Sequence, residues 1–459
     1  LVIKLNPNGS LAWARTFGGT GYDDASSITQ TSDGGYAVAG HTDGFGAGNF
    51  DILVIKLNPN GSLAWARTFG GTGYDDAPSI IQTSDGGYAV AGYTVSFGAG
   101  NFDILVIKLN PNGSLAWART FGGIDGDWAE SIIRTSDGGY AVAGATWSFG
   151  AGNDDFLVLK LNSNGSLAWA RTYGGTGYEA VSSIIQITDG GYAVAGDISS
   201  FGPGDVDLLV LKLNPDGSPA WARTYVMGTD YDWVYSITQT SDGGYAVAGE
   251  TESFGAGGDD FFVLKLNSNG SLAWARTFGG ISSDDAHSIT QTSDGGYAVA
   301  GHTGSFGAGG DFLVLKLGSD GNYPGCVQEC SPTVGTFSLI TSSPSVSVTT
   351  CSPQTSSPSP TITTPSLTIT DVCPPAVEER DVYNRPKITC SPVPGAALFI
   401  SPYDIGIKIY KADGRLVYSG ELHEGENRIP LEPGVYIWTT RNPQPVTRNQ
   451  SGKIGIIRR

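Results

Sequence analysis

The chain has 459 residues, of which 40% are hydrophobic, with 67 glycines, 10 tryptophans and a formal net charge of −18. This size predicts two or three domains, and the many glycines and aromatic residues favour short strands and tight turns over helices. Residues 1–317 hold 32 acidic and 14 basic residues, so they repel phosphate backbones and we expect no nucleic-acid partner. No apolar run reaches the length of a membrane-spanning helix.

A repeated segment predicts the fold. Leu-Val-(Ile/Leu)-Lys-Leu, or its variant Phe-Val-Leu-Lys-Leu, begins at residues 1, 53, 105, 157, 209, 262 and 313, which gives six periods of 51 to 53 residues. A period near 50 residues with strand signals alone is typical of β-propellers, whose blades have four strands each. We therefore predict an all-β six-bladed β-propeller over residues 1–317.

The first full blade shows the predicted strands, named a to d in chain order. They are Ser27–Thr31, Tyr36–Thr42, Ile52–Leu57 and Leu63–Phe69, with Ser-Asp-Gly-Gly and Asn-Pro-Asn-Gly as the hairpin turns. Because side chains alternate along a strand, we expect each sheet to have one bulky face and one smooth alanine face. Neighbouring blades would then pack bulky against smooth.

Strand d of every repeat carries a tryptophan and an arginine. These residues are Trp13, Trp65, Trp117, Trp169, Trp221 and Trp274, with Arg15, Arg67, Arg119, Arg171, Arg223 and Arg276. We expect the tryptophans to form the core between blades, the alternative being a ring of ligand-binding indoles. We expect each arginine to be part-buried and paired with a carboxylate. The partner is either the aspartate before strand c, such as Asp51, or the acidic loop after strand d, such as Asp75.

The strand count is one more than six blades need, because 25 strands are predicted. We expect the N-terminal Leu11–Phe17 to supply the fourth strand of the last blade, which leaves one strand c in surplus, either Leu1–Leu5 or Leu313–Leu317. The candidate strand donor consists of Leu1, Val2, Ile3, Lys4 and Leu5. It either frays or adds to a neighbouring subunit to give dimers or filaments. The chain opens in mid-repeat without a signal peptide, so we expect a removed N-terminal segment or a fragment.

Residues 318–387 form a predicted linker that is rich in Ser, Thr and Pro. Two alternatives remain open for it, a semi-rigid stalk and an ordered β-segment. All the cysteines of the chain lie in or beside this linker, and they are Cys326, Cys330, Cys351, Cys373 and Cys390. This placement favours disulfides in an oxidising compartment over a metal site, and the odd number leaves one cysteine free or intermolecular.

Residues 388–459 contain short alternating strands and predict a small Ig-like β-sandwich. The pieces IKIYKADGRLVYSGEL, GENRIPLEPGVYIW and GKIGIIR resemble the C-terminal sorting domain of the bacterial type IX secretion system. The resemblance implies export by the outer-membrane secretion machinery, followed by surface attachment or release. The repeats themselves resemble β-propellers of secreted bacterial proteins, so we expect an extracellular or outer-surface location.

The sequence offers little chemistry for catalysis. His41 and His302 share one blade position that other residues fill elsewhere, so we expect them to be exposed rather than metal-bound. No zinc spacing or phosphate-cradling loop occurs in the sequence, and we expect no cofactor, with calcium as the alternative. The blades differ mainly in the loops after strands d and b, where we expect any specific binding.

These observations predict a non-enzymatic, secreted or cell-surface structural or adhesive propeller that self-assembles into filaments by strand addition. The alternative is a lectin-like propeller that binds surface glycans at repeated sites between blades.

Overall fold

The structure is a computed structural model that describes residues 1–200, 206–227, 230–255, 258–306 and 310–323, and beyond them the backbone of strands up to Ile456. The chain divides into two compact units, Leu1–Cys373 and Pro374–Arg459. Within the described residues, no helix is long and apolar enough to cross a membrane.

Antiparallel sheets follow one another along the first unit. Five blades have four repeat strands each: β3 (Asp23–Gln30), β4 (Tyr36–Thr42), β5 (Asp51–Leu57) and β6 (Leu63–Gly70); β7 (Asp75–Gln82), β8 (Tyr88–Thr94), β9 (Asp103–Leu109) and β10 (Leu115–Gly122); β11 (Asp127–Arg134), β12 (Tyr140–Thr146), β13 (Asp155–Leu161) and β14 (Leu167–Gly174); β15 (Glu179–Gln186), β16 (Tyr192–Ile198), β17 (Asp207–Leu213) and β18 (Pro219–Val226); β19 (Asp232–Gln239), β20 (Tyr245–Thr251), β21 (Asp260–Leu266) and β22 (Leu272–Phe278). The sixth blade consists of β23 (Asp284–Gln291), β24 (Tyr297–Thr303) and β25 (Asp311–Leu317). The prediction of an all-β six-bladed propeller is confirmed.

The N-terminal strands differ from the prediction. The strands β1 (Val2–Leu5) and β2 (Leu11–Gly18) pair with each other, and the described partner of β25 is β24. The prediction that Leu11–Phe17 completes the last blade is therefore wrong. A short turn joins β1 to β2, so their pairing closes a far smaller loop than a pairing with β25 would. The candidate donor Leu1–Leu5 thus lies in its own chain's hairpin, where Val2 is buried.

The sequence-based description of the blade faces is also wrong. Residues directly opposite each other share a face, and the register aligns Ala37 with Lys56 and Lys56 with Trp65. Small residues of strand b therefore share a face with bulky residues of strand d. In the core between the first two blades, Ala37 and Ala39 belong to the same cluster as Tyr88 and Val90 of the next blade. Each face of a blade therefore carries both small and large side chains. Small residues of one strand pack against large residues of the facing strand in the next blade.

Strand a begins at Asp23, four residues before the predicted start at Ser27. The extension contains a β-bulge, because the register shifts between Ala25 and Ser27 and leaves Ser26 without an opposite residue. The same shift occurs in strand a of every blade, and the residues at this bulge position are Ser26, Pro78, Glu130, Ser182, Tyr235 and His287. Strand b, in contrast, runs over Tyr36–Thr42 as predicted.

Six short strands follow the propeller repeats: β26 (Gln328–Glu329), β27 (Thr333–Gly335), β28 (Ile340–Ser342), β29 (Ser347–Thr350), β30 (Gln354–Ser356) and β31 (Thr361–Thr363). Each pairs antiparallel with a fourth strand of the repeats. Cys326, Cys330, Cys351 and Cys373 lie outside the described residues, so the disulfides remain a prediction.

The second unit contains two antiparallel sheets. Their strands are β32 (Thr389–Val393), β33 (Ala396–Ser401), β34 (Ile405–Lys411), β35 (Leu416–Leu422), β36 (Gly425–Pro430), β37 (Gly434–Arg441) and β38 (Ser451–Ile456). One sheet has the order β32-β33-β36 and the other β35-β34-β37-β38. Cys390 lies in β32.

Candidate binding face

One edge of the blades collects most of the differences between repeats. It is the edge where strands a and c begin and strands b and d end, and we call it the variable face. Eight large apolar side chains are exposed in its loops: Tyr22, Val95, Phe102, Ile124, Trp147, Tyr178, Tyr231 and Ile281. The two variable loops named from the sequence, after strand d and after strand b, therefore lie on one face of the propeller.

Buried carboxylates hold the loops of this face in place. Asp75, at the start of strand a, accepts hydrogen bonds from the backbone N–H of Gly71 at 2.8 Å, from the Ser96 hydroxyl at 2.7 Å and from the Thr94 hydroxyl. Asp103, at the start of strand c, accepts from the backbone N–H groups of Ala99 at 2.9 Å and Gly100 at 3.0 Å. Burial nevertheless raises the pKa of Asp103, because these hydrogen bonds only partly offset its desolvation.

The predicted ion pair of Arg67 is wrong. Its Nη1 donates to the backbone carbonyl of Ala66 at 2.7 Å, and its guanidinium lies 5.8 Å from the centre of the Trp65 ring. Asp51, the first predicted partner, accepts instead from the backbone N–H groups of Ala47 and Gly48. Arg119, Arg171, Arg223 and Arg276 repeat both contacts, and Arg15 repeats the hydrogen bond to the preceding carbonyl. The contacts of the Arg67 guanidinium are thus with its own strand rather than with a carboxylate.

The tryptophans of strand d lie at the contacts between neighbouring sheets. Each indole ring is 5.5–6.0 Å from a tyrosine ring of the next blade, in a T-shaped arrangement. Trp65 also lies so close to Gly113 of the next blade that a Cβ at Gly113 would be 2.9 Å from the indole. Arg67, Tyr88 and Gly113 together surround Trp65, which leaves little of its ring faces for a ligand.

Sequence reasoning missed an ion pair on the opposite edge of the blades. The buried Lys108 places its Nζ 2.9 Å from Asp85 Oδ2 and donates to the carbonyl of Leu109 at 2.8 Å. Although burial opposes the shift, hydrogen bonds from Thr83 and Lys108 lower the pKa of Asp85 to about 2. Equivalent pairs join Lys56 to Asp33, Lys160 to Asp137, Lys212 to Asp189, Lys265 to Asp242 and Lys316 to Asp294. The sequence indicates this ion pair, because every full repeat has both the turn Ser/Thr-Asp-Gly-Gly and a lysine in strand c.

On the variable face, the junction of the first two blades is aromatic. The His41 ring lies 5.0 Å from Phe50 and 5.8 Å from Tyr22, and its Nδ1 is 3.0 Å from Asp76 Oδ1. Its side chain is only 12% exposed, so the prediction of an exposed histidine is wrong here. His302, at the same position of the sixth blade, is 47% exposed.

The junction of the fifth and sixth blades is acidic instead. Carboxylate oxygens of Glu250, Asp259 and Asp285 lie within 4.8 Å of one another, and the Tyr235 hydroxyl donates to Glu250 at 2.6 Å. Burial, together with a hydrogen bond shared with Asp285, raises the pKa of Glu250 to about 8. Among the described residues, these three carboxylates are the group whose oxygen atoms lie close enough together to hold a metal ion such as calcium.

The ends of the a strands in the first four blades line a cavity with a repetitive set of residues. A cavity of about 630 Å³ is lined by Thr29, Gln30, Ile81, Gln82, Ile133, Arg134, Ile185 and Gln186. Gln82 accepts a hydrogen bond from the Ser32 backbone N–H of the preceding blade at 2.7 Å. Arg134 replaces this glutamine in the third blade, which places a cation in the lining of the cavity.

Comparison with known proteins agrees with the repeat fold. Four segments, residues 31–63, 83–115, 135–167 and 240–272, match the family described as "Domain of unknown function (DUF5122) beta-propeller". The chain is also 26% identical over 218 residues to the regulatory protein FlaEY of Caulobacter vibrioides. That match covers 42% of this chain and 22% of FlaEY, so the chain spans less than a quarter of its relative.

Two solved structures have low similarity to the chain. The extracellular domain of the hybrid two component system BT3049 from B. thetaiotaomicron is 12% identical, with a TM-score of 0.28 over 99% of this chain and 72% of that one. A eukaryotic initiation factor is 10% identical, with a TM-score of 0.29 over 90% of this chain and 94% of the other. At these TM-scores, neither structure indicates what the chain binds. Four segments of the chain are thus similar to the repeats of the DUF5122 β-propeller family.

Proposed function

We propose that the chain is a non-enzymatic adhesive propeller of the bacterial cell surface and that the variable face is its binding surface. The observation that carries the proposal is the exposure of eight large apolar side chains in the loops of this face. Exposed apolar side chains beside charged groups are typical of surfaces that contact a partner.

The junctions on the variable face differ in chemistry. The first junction presents aromatic rings around His41, whereas the fifth presents the carboxylates of Glu250 and Asp285. Between them, the ring centres of Trp128 and Trp147 in the third blade lie 5.3 Å apart. A surface with different groups at each junction suits one extended partner that contacts several junctions at once, better than many copies of one small ligand.

The binding proposal is tested by removing apolar groups from the variable face. A variant with Tyr22→Ser, Ile124→Ser, Trp147→Ser and Ile281→Ser should lose at least roughly tenfold in binding to bacterial cells, measured by flow cytometry. The matched control, Ile28→Ser, Phe312→Ser and Val314→Ser, removes exposed apolar side chains that lie in strands. Equal losses in both variants would show that adhesion does not depend on this face.

The surface location is proposed from the tail. Residues 388–459 resemble a type IX sorting domain, and the second unit consists of two antiparallel sheets in its described strands. We expect deletion of residues 388–459 to retain the propeller inside the producing cell, measured by immunoblotting of surface and periplasmic fractions. Unchanged surface display of the deleted protein would contradict the export role.

A lectin function is the second candidate, because a polar pocket lies between blades on the edge opposite the variable face. It has a volume of about 250 Å³ and is lined by residues that include Asp33, Lys56, Trp65, Gln82 and Tyr88. Repeated carboxylates, amides and aromatic rings suit sugars, although neighbours cover much of the Trp65 ring. A glycan array would favour the lectin if the wild type bound one sugar at several weak equivalent sites and Gln82→Ala weakened one of them.

A further inference from the structure

The segment that follows the propeller repeats passes the blades in reverse order. The strand β26 pairs with β22 of the fifth blade, β27 with β18, β28 with β14, β29 with β10, β30 with β6, and β31 with β2. The direction is antiparallel in every case. Each fourth strand thus receives a partner on its outer edge, and we call β26–β31 the edge cap.

The pairing register advances by seven residues from one blade to the next. The residues that pair with the aromatic position of strand d are Val334 with Tyr225, Thr341 with Tyr173, Val348 with Phe121, Thr355 with Phe69 and Ile362 with Phe17. The segment therefore uses one seven-residue step for each blade, and the same position of every step meets the same position of the blade.

The sequence of this segment has the same seven-residue period. Serine recurs at residues 331, 338, 345, 352 and 359, and a β-branched residue stands three positions later in each case. Prolines occur one position after the serine, at residues 332, 353 and 360, and none of the strands β26–β31 contains a proline. β-Branched residues favour strands, whereas proline cannot donate to a ladder. Composition does not show this period, because a segment rich in Ser, Thr and Pro is typical of a linker.

We propose that the edge cap is a built-in strand donor that occupies the outer edges of the propeller and thereby prevents a second copy of the chain from pairing there. An uncovered edge strand exposes a row of backbone N–H and C=O groups that recruits other strands. Displacement of the cap opens these edges to another propeller and converts single molecules into assemblies. The inference stands apart from the adhesive function, because it concerns the outer strands and not the variable face.

The threading order is tested by disulfide trapping in the full chain with all five native cysteines replaced by serine. Thr172 lies opposite Ser342, and Thr349 lies opposite Thr120 of a different blade. Directly opposed residues of antiparallel strands have the spacing that a disulfide needs. We expect Thr172→Cys with Ser342→Cys to cross-link at least roughly tenfold faster than Thr172→Cys with Thr349→Cys, measured by peptide mass spectrometry. Equal rates, or no cross-link in a folded protein, would overturn the proposed order.

The capping role is tested with proline substitutions at two positions of the seven-residue period. Thr341→Pro with Val348→Pro alters the strands β28 and β29, whereas the control, Leu339→Pro with Val346→Pro, places proline where other periods already carry it. We expect the first variant to raise amide hydrogen exchange in β14 and β10 by at least roughly tenfold and to form larger species in analytical ultracentrifugation. The control should remain protected and monodisperse. The capping role is overturned if the first variant matches the control, or if the wild type already self-associates to the same extent.

Discussion

The Lys–Asp pair of each blade gives the sharpest test of the packing described above. Lys108→Met keeps the apolar stem of the side chain but removes the ammonium group. In the folded protein this leaves the buried carbonyl of Leu109 without the hydrogen bond that Lys108 donates at 2.8 Å. A buried polar group that loses its partner costs about 1–3 kcal/mol. Asp85 is 60% exposed and keeps its hydration, so it adds little to this cost.

The sixth blade supplies a matched control. Lys316 makes the same contacts with Asp294 and the carbonyl of Leu317, but its side chain is 50% exposed, against 7% for Lys108. Water replaces the ammonium group there, so Lys316→Met should cost about 0–1 kcal/mol. We expect Lys108→Met to destabilise the protein by about 1–2 kcal/mol more than Lys316→Met, measured as free energies of unfolding in urea. Equal values would refute the argument that burial of the lysine determines its contribution.

Further predictions concern turns and pH. Gly113 and Gly138 both have positive φ, at +79° and +83°, but a Cβ at Gly138 meets nothing within 4 Å. Gly138→Ala should therefore lower the free energy of unfolding in urea by about 1–2 kcal/mol, the cost of the left-handed backbone. Gly113→Ala should lower it by about 1–3 kcal/mol more, because its Cβ meets Trp65. Burial raises the pKa of Glu130 to about 7 and that of Asp232 to about 7, so the folded state holds more protons than the unfolded state between about pH 4 and 7. Stability should therefore fall as the pH rises through this range, and urea midpoints that increase from pH 5 to pH 8 would contradict it. Glu130→Gln should flatten this dependence in the same titration.

The propeller class and the bounds of strand b could be predicted from the sequence because every blade repeats one strand pattern. The pairing register between neighbouring strands could not be predicted in this way. Alternation assigns Ala37 and Trp65 to faces of their own strands, but only the register aligns them through Lys56 onto one face. The bulge at Ser26 also lengthens strand a beyond what alternation predicts.

The site was predictable to a similar extent. The loops after strands d and b were named as variable, but their meeting on one face follows from the up-and-down order of the strands. The predicted partner of Arg67 was wrong because Arg67 donates to a backbone carbonyl and Asp51 accepts from backbone N–H groups, and sequence patterns do not display backbone groups. The burial of His41 depends in the same way on rings from two blades, Tyr22 and Tyr74.

The bulge in strand a has a consequence for how such a protein diversifies. Its extra residue has no opposite neighbour, and the chain places Ser, Pro, Glu, Ser, Tyr and His at this position in successive blades. A duplicated repeat can therefore acquire a new side chain there without disturbing the ladder on either side. A library randomised at these six positions would show how far the side chain at the bulge can vary while the strands on either side keep their pairing.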